Sequence, residues 1–158
     1  MNDEFHRTPS HGVDTDHFRR LERMYLTAAS INDYFKPSIA VGDGEAEIRI
    51  EVDPKFFHAA GAVHGSVYFK ALDDASFFAA NSVIEDVFVL TTSFNIQLLR
   101  PVTEGILIAK GALVSKTKSL LIADAELRDD RGRLVGRGTG NFMKSRMQLV
   151  DVPGYASE

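Results

Sequence analysis

Two adjacent carboxylates, a glycine and a pair of histidines supply most of the chemistry this chain could carry. The loop Phe57-His58-Ala59-Ala60-Gly61-Ala62-Val63 runs into His64-Gly65-Ser66, and Asp73 and Asp74 follow inside a strongly apolar stretch. If a helix opens at His64, its first backbone N–H groups lack intrahelical partners and face the positive end of the dipole. Such a place favours an anion or a developing oxyanion. Gly65 has no Cβ, so a ligand carbonyl can come close to that N–H; equally, the glycine can serve tight packing of helix on sheet. Acids among Leu72, Ala75, Phe77 and Phe78 are costly to bury, so at least one of Asp73 and Asp74 faces a cleft or a subunit boundary unless both lie on a solvated helix edge. The chain contains no cysteine, which excludes disulfides, thiolate metal sites and cysteine nucleophiles.

The elements that must hold these residues can be read from periodicity. Phe18, Leu21, Tyr25 and Ala28 form one helical stripe with Asp14 or Thr15 as its cap, and Ser30 with Asp33 resembles a second capping box that Pro37 cuts short. From Ser38 to Val52 the period changes to two, with Gly42-Asp43-Gly44 as a hairpin turn. His64 to Asn81 reads as a long helix, apolar on more than one side and so enclosed by other elements. Val87 to Leu99 alternates, with Leu90, Phe94, Ile96 and Leu98 on one face and Thr91, Ser93, Asn95 and Gln97 on the other. Gly105 to Ser115, Ser119 to Arg128 and Leu134 to Met143 complete the strands, the last two joined by the turn Asp129-Asp130-Arg131-Gly132. Hairpin, helix and a run of antiparallel strands predict an α+β fold whose sheet wraps one central helix, with an N-terminal helix added. The expected organisation is a flexible arm over 1–13, a single domain over 14–146 and a tail over 147–158.

With 158 residues the chain has the usual size of one domain. Its 44% hydrophobic and 25% charged residues and its apolar runs, all too short to span a bilayer, predict a soluble protein with no membrane partner. The acidic, polar N-terminus lacks the pattern of a secretory signal, which predicts a cytoplasmic location. A net charge of −4 with dispersed Lys and Arg argues against nucleic acid. His6, His11 and His17 lie in or beside the arm with no fixed ligand geometry, so no metal site is expected.

The string Gly61-Ala62-Val63-His64-Gly65-Ser66, followed by Asp73 nine residues after His64, resembles the signature of the hotdog thioesterases of the phenylacetic-acid-degradation type. The similarity extends through Thr91-Thr92-Ser93-Phe94-Asn95-Ile96-Gln97-Leu98-Leu99-Arg100-Pro101 and the closing strands, over most of residues 35–144. It implies a hotdog fold with sheet order 1-2-4-5-6-3, a homodimer or dimer of dimers with the active site at the subunit boundary, and hydrolysis of acyl-CoA thioesters without a cofactor. By the same resemblance Gly65 N–H polarises the thioester carbonyl and Asp73 of the partner attacks it or activates water. His64 shapes the helix start, Thr91 accompanies the acid, and Lys116, Lys118 and Arg137 meet the CoA phosphates. Asp74 is a bystander. Two positions depart from the family pattern: His58 stands where an Asn is usual, and Ser66 replaces a second Gly. An imidazole can still donate to water or a carbonyl, but unlike an amide it titrates near neutral pH. The competing readings are an acyl-CoA-binding protein without turnover and, less well matched, an acyl-chain dehydratase or hydratase.

Overall fold

The computed structural model describes residues 11–156. Helix α1, Thr15–Ala28, starts where Asp14 accepts the Asp16 N–H at 2.9 Å and turns Phe18, Leu21, Met24 and Tyr25 inward. The expected capping box after it is not formed. The short helix α2, Asn32–Phe35, has Ile31 at its cap with no side-chain bond, and it is fastened instead by Asn32, whose amide donates to the Tyr25 carbonyl at 2.8 Å. The period-two segment folds as the hairpin β1, Ser38–Gly42, and β2, Glu45–Glu51. Gly44, with φ +73°, takes the left-handed conformation its turn requires.

Helix α3, Gly65–Asn81, follows, and then β3, Val87–Leu98; β4, Ile106–Lys116; β5, Leu120–Arg128; and β6, Leu134–Gln148. The six strands form one antiparallel sheet in the order β1-β2-β4-β5-β6-β3. This is the hotdog arrangement, with the sheet curled around α3. Leu72, Ala71 and Ala75 of the helix meet Ile48, Ile50, Leu107 and Leu127 of the sheet in a core from which water is excluded. Gly111 makes the closest approach possible, since a Cβ there would collide with the Ala75 carbonyl oxygen. Asn81 ties the end of α3 to the start of β3: its Oδ1 accepts the Val89 N–H at 3.0 Å, and its amide donates to the carbonyls of Ile84 and Val87 at 3.1 Å each. That clasp fixes the two elements that carry the site.

One expectation about β3 needs correction. Leu90 does not share a face with Phe94 and Ile96, because the β3–β6 register shifts between Thr91 and Ser93. The extra residue of this bulge reverses the alternation, so Val89 and Thr91 point toward α3 before it and Phe94 and Ile96 after it, while Leu90 is 50% exposed. In the segment expected as a tail, β6 runs on to Gln148, and Leu149 and Tyr155 are buried against α1 and the core. Within the arm, residues 11–13 are docked by a His11–Asp43 contact at 2.7 Å and by burial of Val13; residues 1–10 lie outside the described part. None of the helices is long and apolar enough to cross a membrane among the described residues.

Candidate active site

Asp73 sits midway along α3, on the side that faces β3. Thr91, brought inward by the bulge, donates its hydroxyl to Asp73 Oδ1 at 2.9 Å. Burial pushes the carboxyl up to about 6, against the opposing pull of the Thr91 hydrogen bond and of the Lys70 cation. The pair opens onto a cavity of about 420 Å3 between α1, α3, β3 and the C-terminal turn. The structure thus places Asp73 and Thr91, two of the residues singled out in the sequence, side by side at one cavity.

Asp74 has partners that the sequence did not disclose. Tyr25 of α1 donates to its Oδ2 at 2.6 Å, and Lys70, one turn earlier on α3, pairs with the same oxygen and lies over the Tyr25 ring at 4.9 Å. Burial still holds the Asp74 carboxyl above its ordinary value, with Lys70 and Tyr25 lowering it, and burial beside Asp74 raises the Tyr25 hydroxyl strongly. Asp74 is thus a bonded side chain joining α1 to α3, whereas the side-chain hydrogen bond of Asp73 is to the Thr91 hydroxyl. The i, i+4 spacing of Lys70 and Asp74 was a visible signal for their pairing.

Gly65 occupies the first helical position of α3, so its N–H has no carbonyl four residues back to bond. His64 caps the helix: its Nδ1 accepts the Ser66 N–H at 3.0 Å and lies 2.8 Å from the Ser66 hydroxyl. That bond explains what Ser66 does in place of glycine. In the preceding loop His58 Nδ1 accepts the Ala60 N–H at 3.1 Å, which puts the proton of the neutral ring on Nε2 and leaves Nε2–H as a donor. His58 and Gly65 line a second, shallower cavity of about 300 Å3 with Val63, Tyr68 and Leu98 to Pro101. Asp73 is not part of it. Eight residues of helix separate Gly65 from Asp73, about 12 Å along the axis, so within one chain the donor and the carboxylate do not meet.

The three expected phosphate-binding cations are not gathered in one place. Lys116 and Lys118 lie at the β4–β5 turn, with Lys116 donating to the Val83 carbonyl at 3.1 Å. Arg137 is on β6 opposite Glu126 and Gln97, whereas the strand row through Lys116 passes Leu121 and Phe142. Five residues of strand separate those rows, roughly 17 Å. No group of three or more metal-ligating side chains occurs among the described residues.

Comparison with known proteins agrees with this architecture. Residues 60–136, which contain Gly65, Asp73 and Thr91, match the family model of the thioesterase superfamily. The fold superposes on the E. coli PaaI protein from the phenylacetic acid degradation operon with a TM-score of 0.77 at 18% identity, covering 84% of this chain and 96% of that one. A Haemophilus influenzae thioesterase superposes with a TM-score of 0.71 at 20% identity, over 80% of this chain and 88% of that one. A Saccharolobus solfataricus protein that bears an esterase name is 22% identical over 135 residues, 85% of this chain and 96% of its own length. Residues 60–136 thus match the thioesterase superfamily within a chain that has the PaaI-like hotdog fold, and thioester hydrolysis is the general chemistry that this match supports.

Proposed function

We propose that the protein hydrolyses acyl-CoA thioesters as a homodimer or dimer of dimers, with each site built from Asp73 and Thr91 of one subunit and Gly65, His58 and the His64-capped helix start of the other. The observation that carries this reading is the half-buried Asp73 carboxyl, raised to about 6 and held by Thr91. A base poised near neutral pH can take a proton from water yet is ionised at pH 7. In this reading Asp73 removes the proton as the water oxygen attacks the thioester carbon. The Gly65 N–H, with the His58 Nε2–H beside it, stabilises the oxyanion. The C–S bond then breaks, CoA leaves as its thiolate, and Asp73 returns the proton. A thiolate is a good enough leaving group that no strong acid is required.

Two features support a second subunit. Gly65 and Asp73 open onto separate cavities in one chain. The free edge of β3, a strand of 12 residues at the end of the sheet, has no strand partner among the described residues, and such an edge favours pairing with another copy. Lys116 and Lys118 are the better placed of the proposed CoA-phosphate cations, being on one turn; Arg137 would serve a different part of the ligand or a neighbouring subunit.

The test is release of free thiol from a panel of acyl-CoA thioesters by wild type, Asp73→Asn and Asp74→Asn. Asp73→Asn is expected to lower kcat by roughly 100-fold or more with little change in KM. Asp74→Asn, which breaks the Tyr25 and Lys70 contacts, is expected to reduce stability more than kcat. Equal, small losses in both variants would refute Asp73 as the base, and binding without turnover would favour the reading as a non-catalytic acyl-CoA-binding protein.

A further inference from the structure

We infer that Asp74, together with Tyr25, is a positioning residue for Asp73: it holds the Lys70 ammonium, which would otherwise pair with the base. That Asp73 is the base rests on the thioesterase reading. Lys70 stands three residues before Asp73 and four before Asp74 on α3, and on a helix surface both spacings bring side chains together. Helix geometry alone leaves the lysine two carboxylates to choose between. The choice is made by neighbours from outside the helix. Tyr25 of α1 donates to Asp74 Oδ2 at 2.6 Å, and Lys70 Nζ pairs with the same oxygen and donates to the Tyr25 hydroxyl at 3.4 Å. The ammonium also lies 4.9 Å from the centre of the Tyr25 ring and 5.6 Å from that of Phe35 in α2, within the range of a cation–π attraction to each. Asn32 keeps α1 and α2 together at this point through its bond to the Tyr25 carbonyl. The side chains of Lys70 and Asp74 are 11% and 16% exposed, so little water weakens their attraction.

Asp73 is left to the Thr91 hydroxyl. Among the described residues, the ionisable groups that line the cavity with Asp73 are Tyr25 of α1 and Lys70 and Asp74 of α3; β3 and the C-terminal turn supply none. Lys70 is therefore the cation of that cavity whose position matters to the base. An ammonium paired directly with Asp73 would lower the basicity of the carboxylate, by roughly 1 to 3 pH units for an opposite charge in contact, and would occupy an oxygen that has to take the proton from water. Asp73 instead stays above the ordinary carboxylate value, at about 6, with burial as the main cause and the Lys70 charge the weaker of the two opposing pulls. The adjacent acids thus divide the work: Asp74 keeps the lysine, and Asp73 keeps its basicity.

The experiment follows the Asp73 carboxyl carbon by NMR against pH in wild type, Asp74→Asn, Lys70→Met and the double variant. Asp74→Ser gives a second way to remove the neighbouring carboxylate, and near-UV circular dichroism shows that each protein is folded. Freed of Asp74, Lys70 should turn to Asp73, whose midpoint should fall from about 6 by at least about one pH unit. Loss of the Asp74 charge acts in the same direction, so the deciding quantity is the effect of Lys70→Met in the two backgrounds. That substitution should raise the Asp73 midpoint by at least about one unit more when Asp74 is absent than when it is present. If Asp74 served only to tie α1 to α3, Lys70→Met would give the same shift in both backgrounds. Equal shifts, or an Asp73 midpoint unchanged in Asp74→Asn and Asp74→Ser, would overturn the inference. With thioester hydrolysis as the readout, the acid limb of kcat/KM should move with the same midpoints. Carboxyl titrations as expected with no turnover of any thioester would overturn the enzymatic reading and leave the Lys70 clamp assigned, whereas turnover with equal shifts would do the reverse.

Discussion

Asp73 is held where its ionised form is disfavoured, the condition the proposed base would need. Its carboxyl titrates near 3.8 in an unfolded chain and at about 6 in the folded one, so folding favours the protonated acid. The stability this group contributes is therefore intact below about pH 4 and is lost as pH rises through 6, an effect on the order of 3 kcal/mol. Asp73→Asn keeps the shape and removes the charge. It should raise Tm by a few degrees at pH 8 and by much less at pH 4.5, and a gain equal at both pH values would show that ionised Asp73 is not strained. Activity should have the opposite dependence: kcat/KM rises through about pH 6 to a plateau as the base ionises. A profile flat from pH 5 to 8 would remove Asp73 from the rate-determining proton transfer. The family resemblance singled out Asp73 by its place nine residues after His64, and in the fold that residue lies against Thr91. The Tyr25–Asp74 bond was not, because 49 residues separate the partners and only the fold brings α1 against α3.

At the level of elements, periodicity disclosed the helices and strands well, since the change from a helical to an alternating period is driven by which face each element buries. It failed at the β3 bulge. Leu90 and Phe94 are an even number of residues apart and so looked like one face, but one unpaired residue between Thr91 and Ser93 is invisible to a count of alternating types. The C-terminal turn was missed for a related reason, because its few apolar residues have no period and are anchored by single contacts such as Tyr155 to His17. Gly111 had no evident role in the sequence, whereas in the fold it lets the α3 backbone rest on β4 at Ala75. Gly111→Ala should therefore force the helix from the sheet and cost about 2 kcal/mol or more in urea unfolding. Ala112→Ser, one residue on and exposed, should cost under about 0.5 kcal/mol. Similar midpoints for the two variants would mean that the helix–sheet contact is softer than its geometry.

For the whole molecule, the question is whether a site belongs to one chain or to two, and the helix start offers a clean way to decide. His64 has φ −63° and ψ 143°, the extended conformation that a residue before proline prefers, and Gly65 is at the first helical position, where proline is tolerated. Gly65→Pro therefore deletes the backbone N–H proposed to bind the oxyanion and leaves the rest of α3 able to form. A Cβ at residue 65 would meet only the flexible end of Leu98, whose Cδ1 lies 2.9 Å away. Gly65→Pro and Asp73→Asn should each be nearly inactive alone. If sites are shared, unfolding and refolding the two variants together gives heterodimers in which the Asp73 of the Gly65→Pro chain faces the intact Gly65 of the Asp73→Asn chain. Random pairing makes half the dimers mixed, each with one working site of two, so activity should recover to about a quarter of the wild-type value. If each site lay within one chain, every chain in the mixture would carry a broken site. The mixture would then be no more active than its components, and the two-subunit reading would be wrong.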